Sequence, residues 1–380
     1  MGNNIDMARQ IRLSWRAWVG HCCGLALLAL TACAQLPDAP PKPKEAAPIL
    51  FPAPPDEPRF VYERTIRGSA DVVLEKSDSD LKRLLTGTGG SSNEGLGKPY
   101  AIAVHRGRIF VSDSAERFIK VFDVPEGRFF HIGDDDPGRL VKPLGIDVDA
   151  VGNLYVADAT LKLIMVYDRD GKFLRQIAGP TYFDRLSSVT VDAKGERLYV
   201  VDIGGVSSER HRVRVFDAQN GKHLFDFGTR GKGVGEFNLP RDVAIGKDGQ
   251  LYVVDGGNFR VQAFDAKGKY LHAFGTIGKQ PGSFARPKEI SADVEGNIYV
   301  IDAAFGNFQV FNSDGDLLMY VGDRSEQDGP GRYMLPSGIF VDEDGRVYVV
   351  DQWFRKVDVF RPYALKAQDG YLGKRAKKEK

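Results

Sequence analysis

The tripeptide Val-x-Asp recurs six times, at Val111–Asp113, Val156–Asp158, Val200–Asp202, Val253–Asp255, Val300–Asp302 and Val349–Asp351. Successive aspartates are 45, 44, 53, 47 and 49 residues apart. A period of this size means one supersecondary unit copied along the chain, each copy burying its apolar face against the next. Leu251-Tyr252-Val253-Val254-Asp255 is representative: short, apolar and β-branched, then one acid. That composition suits a strand buried on both faces that stops at a polar turn.

Each copy sits in the same frame. A proline opens a β-rich stretch at Pro99–Val104, Pro143–Val148, Pro240–Ile245, Pro287–Ala292 and Pro336–Val341, with Leu186 replacing it in the third copy. A glycine-bearing turn and the Val-x-Asp strand follow. A third strand ends in aromatic-Asp, as in Phe122-Asp123 or Phe264-Asp265, and a fourth closes near Phe227-Gly228 or Phe274-Gly275. Four short strands per repeat predict an all-β, six-bladed β-propeller with four antiparallel strands per blade. Forty-three glycines suit its many turns.

The connectors Phe227–Pro240 and Phe274–Pro287 match position for position: Phe-Gly-Thr, then Gly-Lys, then Gly-x-Phe-x-x-Pro. The pattern resembles the NHL repeat, from about residue 98 to 363. The third copy departs most, lacking the proline and inserting Gly204–His211. The sixth copy has only three strands, ending at Phe360, and an orphan strand, Arg59–Ile66, precedes the first copy. The economical closure makes that orphan the fourth strand of blade six, which removes an exposed edge. The propeller is expected over 59–365, as a monomer, with a basic tail at 366–380. Ser79–Leu85 is expected to form a turn or two of helix, and 86–97 a loop.

The amino-terminal segment reads as an address. Arg9, Arg12 and Arg16 precede an apolar run that ends Leu30-Thr31-Ala32-Cys33. A basic region and a run too short to span a bilayer indicate a secretory signal over 1–32. The end of the run resembles a bacterial lipobox, which implies acylation of Cys33 and an outer-membrane anchor; the localisation is then the cell envelope, periplasmic or surface-facing. Residues 34–58 hold nine prolines, so 33–58 is expected to be an extended tether. The remaining chain has no cysteine, so no disulfide holds the fold.

The repeated aspartates are expected to be architectural, each accepting hydrogen bonds from the turn it opens. Functional residues should differ between blades. The two positions after each proline are neutral except in blades four and five, where they are Arg241-Asp242 and Lys288-Glu289, expected to form ion pairs. On the same face, after the Val-x-Asp strands, lie Phe259, Arg260, Phe305, Trp353, Phe354 and Arg355. Together these predict a basic, aromatic partner-binding patch over blades four to six. The six histidines are scattered and expected at the surface, apart from His21 in the signal.

No catalytic set, metal site or cofactor is assigned. There is no Walker loop, haem attachment motif or nucleophile elbow. A net charge of +1 gives no field for nucleic acid. The chain is therefore expected to be a non-enzymatic scaffold anchored at Cys33 that binds an envelope protein or an anionic ligand. The NHL resemblance leaves an alternative, because related propellers include metal-dependent lactonases and lyases.

Overall fold

The computed structural model describes residues 47–73, 93–205 and 207–373. The expectations for 1–46, for the helix at 79–85, for most of the loop at 86–97 and for the basic end at 374–380 lie outside them. Five four-stranded antiparallel sheets and one five-stranded sheet form a ring of six blades. Blade one spans Pro99–His105, Arg108–Asp113, Phe118–Asp123 and Arg128–Ile132. Blades two to five repeat that order, opening at Pro143, Leu186, Pro240 and Pro287.

Leu251–Asp255 shows how the repeat pattern becomes a ring. Successive side chains on a strand point to opposite faces. Leu251 and Val253 pack into a core shared with blade three, and Tyr252 and Val254 into a core shared with blade five. All four are buried. The same alternation produces six cores, one at each junction between neighbouring blades. No blade buries both of its faces without two neighbours.

The end strands meet as expected. Phe60–Ile66 pairs antiparallel with Lys356–Pro362 and completes blade six. A buried ion pair reinforces the junction, Arg346 Nε to Glu63 Oε2 at 2.8 Å. The Thr65 hydroxyl also donates to Asp358 at 2.6 Å. Pairing begins upstream of residue 59, because Leu50 and Phe51 add a short fifth strand against Val61 and Phe60. Phe51 packs edge-on to Phe360, an apolar contact in a segment where prolines dominate. Order also runs past residue 365: Leu372, in the short helix Gly370–Gly373, is buried in the core between blades six and one.

The six Val-x-Asp carboxylates are fully buried and each joins two loops. Asp302 accepts from the amides of Ala285 and Arg286, ahead of its blade, and from Ala304 and Phe305 in its own turn. Asp113, Asp158 and Asp351 repeat that four-amide pattern. In blades three and four an arginine replaces part of it: Arg212 reaches Asp202 at 3.3 Å, and Arg260 reaches Asp255 at 2.9 Å. These acids do more than cap a turn, since they fix the connector that feeds strand one.

Replacing Asp302 by Ala would orphan buried amides at about 1–3 kcal/mol each where water cannot reach them. Asp302→Ala should therefore lower unfolding free energy by about 3 kcal/mol. Asp314→Ala, an exposed turn change in the same blade, should stay within about 0.5 kcal/mol. Urea unfolding of the two variants checks this.

Candidate functional site

Strand one of each blade lines the axial channel. Its second residue past the proline position turns towards the neighbouring blade, and hydrogen bonds run from blade to blade. Ser112 donates to the Leu144 carbonyl at 2.7 Å, joining blades one and two. Asp147 accepts from the Val191 amide at 2.9 Å, joining two and three. Ser188 donates to Asp242, and Thr190 to the Val243 carbonyl, joining three and four. Asp242 accepts from the Ile290 amide at 3.0 Å, and Glu289 from the Ile339 amide at 3.2 Å. Ser337 donates to the Tyr100 carbonyl at 2.8 Å, which returns the chain of contacts to blade one.

Two positions in this ring are glycine because the backbones come too close for a side chain. A Cβ on Gly145 would lie 2.6 Å from the Ser188 Cα, and one on Gly338 would lie 2.9 Å from the Tyr100 carbonyl oxygen.

Asp242 and Glu289 therefore differ from the expected ion pairs with Arg241 and Lys288. Both carboxyls are buried in the channel wall and accept backbone amides of the next blade, while their basic neighbours point to the mouth. Strand alternation separates the members of each pair. The consequences are electrostatic. Burial pushes Asp242 up to about 6, against hydrogen bonds from Ser188, Ile290 and Val243 that pull it down. Burial, with Asp242 adding repulsion, raises Glu289 well above the usual carboxylate range. Asp147 lines the same channel. It keeps some exposure to the channel, but protein encloses it, and burial pushes it up to about 7 despite two backbone hydrogen bonds.

At the mouth, Tyr100, Ser187, Arg241, Arg286, Lys288 and Ser337 line a cavity of about 60 Å³, with Ser188, Pro287 and Glu289 completing its wall. Burial, then repulsion from Arg286, pushes the Lys288 ammonium down to about 8, with Glu289 opposing. Burial pushes the Tyr100 phenol up to about 12.

The rest of the expected patch divides. Arg241, Trp353 and Arg355 are exposed, Trp353 at 63%. Arg260 is committed to Asp255 and to the carbonyls of Gly233 and Glu236. Phe259 packs against the core between blades four and five. Phe354 is half-buried beside Lys356 Nζ, 5.7 Å from its ring centroid, and Phe305 is half-buried. Arg286, Asp147 and the role of Tyr100 escaped the sequence reading. Arg286 stands one residue before Pro287, just outside the two positions compared, and no repeat signal marks Asp147. Two histidines differ from the surface expectation. His211 is buried and accepts from the Leu239 amide, and His105 is buried beside Glu343. No group of three or more His, Cys, Asp or Glu among the described residues could hold a metal ion.

An NHL repeat family model matches residues 237–264, which run from Phe237 to Phe264, the end of the third strand of blade four. The chain is 32% identical over 110 residues to a probable peptidyl-alpha-hydroxyglycine alpha-amidating lyase of Caenorhabditis elegans, covering 28% of this chain and 29% of that protein. It is 26% identical over 225 residues to the human NHL repeat-containing protein 3, covering 54% of this chain and 63% of that one. The matched segments thus span less than two thirds of each relative. Among solved structures, a gluconolactonase of Xanthomonas campestris superposes at TM-score 0.53 with 15% identity, over 79% of this chain and 98% of that one. A catalytically inactive virginiamycin B lyase of Staphylococcus aureus, with quinupristin, superposes at 0.51 with 18% identity, over 71% and 82%. These structural likenesses concern the fold alone.

The raised carboxyls set a pH dependence. Asp147 and Asp242 have folded values above their ordinary ones, so the folded chain holds protons that the unfolded chain releases. Their contribution to stability is full below about pH 4 and is lost as pH rises through about 6 to 7. Asp147→Asn should flatten the dependence of the urea midpoint on pH across that window. An unchanged slope would contradict the assignment.

Proposed function

We propose that this six-bladed propeller with NHL repeat sequence is a non-enzymatic binding module of a bacterial cell envelope, tethered to the outer membrane through an acylated Cys33. Its top face receives a protein or an anionic envelope ligand. The observation that carries this reading is the division of charge at the channel. The carboxylates are committed to backbone amides of neighbouring blades, whereas Arg241 and Lys288 make no ion pair or hydrogen bond through their side chains among the described residues. Groups held in structural hydrogen bonds are poorly placed to ligate a cation or move a proton; unpaired cations are placed to recognise an anion. Exposed Trp353 and Arg355 extend the face over blade six and suit an interface anchor.

The second reading is an enzyme. It draws on the similarity of part of the chain to an amidating lyase and on the fold shared with lactonases and lyases. Under it, Asp242 and Glu289 would have to leave their amide partners to act.

Crosslinking and pull-down from envelope fractions tests the binding reading. Arg241→Glu with Lys288→Glu should abolish capture of the partners that the unmodified chain recovers, and undiminished capture would sink the reading. For the anchor, Cys33→Ser should remove incorporation of labelled fatty acid and release the protein from membranes on fractionation. Retention of the label on Cys33→Ser would contradict the assignment of that residue.

A further inference from the structure

We propose that the mouth of the axial channel is a built site for one doubly charged oxyanion, a phosphate or a paired-carboxylate group, held by Arg241, Arg286, Lys288 and the Tyr100 hydroxyl. This rests on the binding reading above and gives it a chemical class.

The cavity is the right size and lined with the right groups. A volume of about 60 Å³ has room for roughly four to six waters at about 10–15 Å³ each, on the order of one such group. Three cationic side chains from blades four and five line it. None of the three has a carboxylate within ion-pair distance among the described residues. The Tyr100 hydroxyl likewise makes no hydrogen bond to a described residue. Glu289 also lines the cavity; its carboxyl accepts the Ile339 amide, and burial raises it above the usual carboxylate range. The mouth thus gathers three cations against a single carboxyl, Glu289, that is held by the Ile339 amide, and this excess of like charge costs free energy unless an anion offsets it. Two guanidinium forks and an ammonium match an oxyanion carrying two charges better than a spherical monovalent ion.

A wider collar of charge surrounds the cavity. The residues just before strand one in blades one, two and three are Lys98, Lys142 and Arg185, all exposed. Together with Arg286 they place a cation at the same position in four of the six blades. The acids against that row are spoken for: buried Asp113, Asp158, Asp202 and Asp302 each accept the backbone amide of one of these four residues, and Asp184 is held by Arg210 at 3.1 Å. Such a ring over a low-dielectric channel focuses its field at the axis and would draw anions towards it.

The side chains concerned hold nothing else together, so their substitution should leave the ring intact. The test is calorimetric titration of the full chain with inorganic phosphate and, separately, with malonate, at constant ionic strength and with chloride as the monovalent comparison. Saturable binding of either dianion at a one-to-one ratio is expected, weakening as salt is added. Arg241→Ser, Arg286→Ser and Lys288→Met should each weaken it by about tenfold or more. Val294→Ala, an exposed change in the turn between the first two strands of blade five, should leave it unchanged. Tighter binding of phosphate would specify a tetrahedral group, and tighter binding of malonate a carboxylate pair; both support the site. Binding no tighter than chloride, or binding indifferent to all three substitutions, overturns it. The two readings fail separately. Anion binding without partner capture ends the protein-docking reading and leaves the site, whereas capture that needs Trp353 but no anion does the reverse.

Discussion

Closure of the ring is the constraint on which everything else depends. Every blade buries its two faces only against two neighbours, so an open arc of six would leave two apolar faces in water. Pairing of Phe60–Ile66 with Lys356–Pro362 removes both exposed faces at once and joins residues almost 300 apart in sequence. The junction also buries charge. Arg346 and Glu63 are buried together, and Lys356 and Asp358 lie 2.8 Å apart with neither exposed. Breaking one partner of such a pair leaves an uncompensated buried charge, which is the costly case. The same bonds give the ends of the propeller a fixed partner that the repeated sequence alone does not specify.

Closure also explains the chemistry of the channel. Six inner strands brought round one axis converge, and their side chains meet edge to edge. Blades two and six meet this crowding with glycine, at Gly145 and Gly338. Blades three, four and five meet it with Ser188, Asp242 and Glu289, which bond to the adjacent strand. Acids in such a wall lose solvent and drift towards neutrality, so they serve as acceptors more than as charges. The basic residues at alternate positions project the other way, to the mouth, and keep their charge where a ligand could meet it. Sorting of acid and base by strand alternation turns a chain of net charge +1 into one with a locally cationic opening.

Much of this was legible in the sequence, and the parts that were not share a cause. Val-x-Asp at a fixed spacing revealed the blades because the signal is local and repeated. Phe60–Ile66 could be placed as the missing strand because the sixth copy is visibly short. The partners of Asp242 and Glu289 could not be read, because they are amides 48 and 50 residues downstream in the next blade. Adjacent Arg241 and Lys288 therefore looked like their natural partners. Leu50–Phe51 was hidden among prolines and Leu372 beside a run of lysines, since composition describes a segment and not its one anchoring side chain. Nothing in the repeat pattern marks Lys120 and Lys356, which are fully buried, each held by two carboxylates. Arg286 was in plain view one residue outside the frame that was compared.

The central claim is that the channel acids hold the ring while the mouth cations bind. The most direct test is anion titration of the double variant Asp242→Asn with Glu289→Gln. Carboxamides keep an oxygen to accept the Ile290 and Ile339 amides, but they can neither ionise nor readily ligate a metal. The account predicts a folded chain that binds phosphate or malonate at least as tightly as before, since removal of two acids can only favour an anion. A folded double variant that has lost this binding would contradict it and would move the function from the cations to the carboxyls.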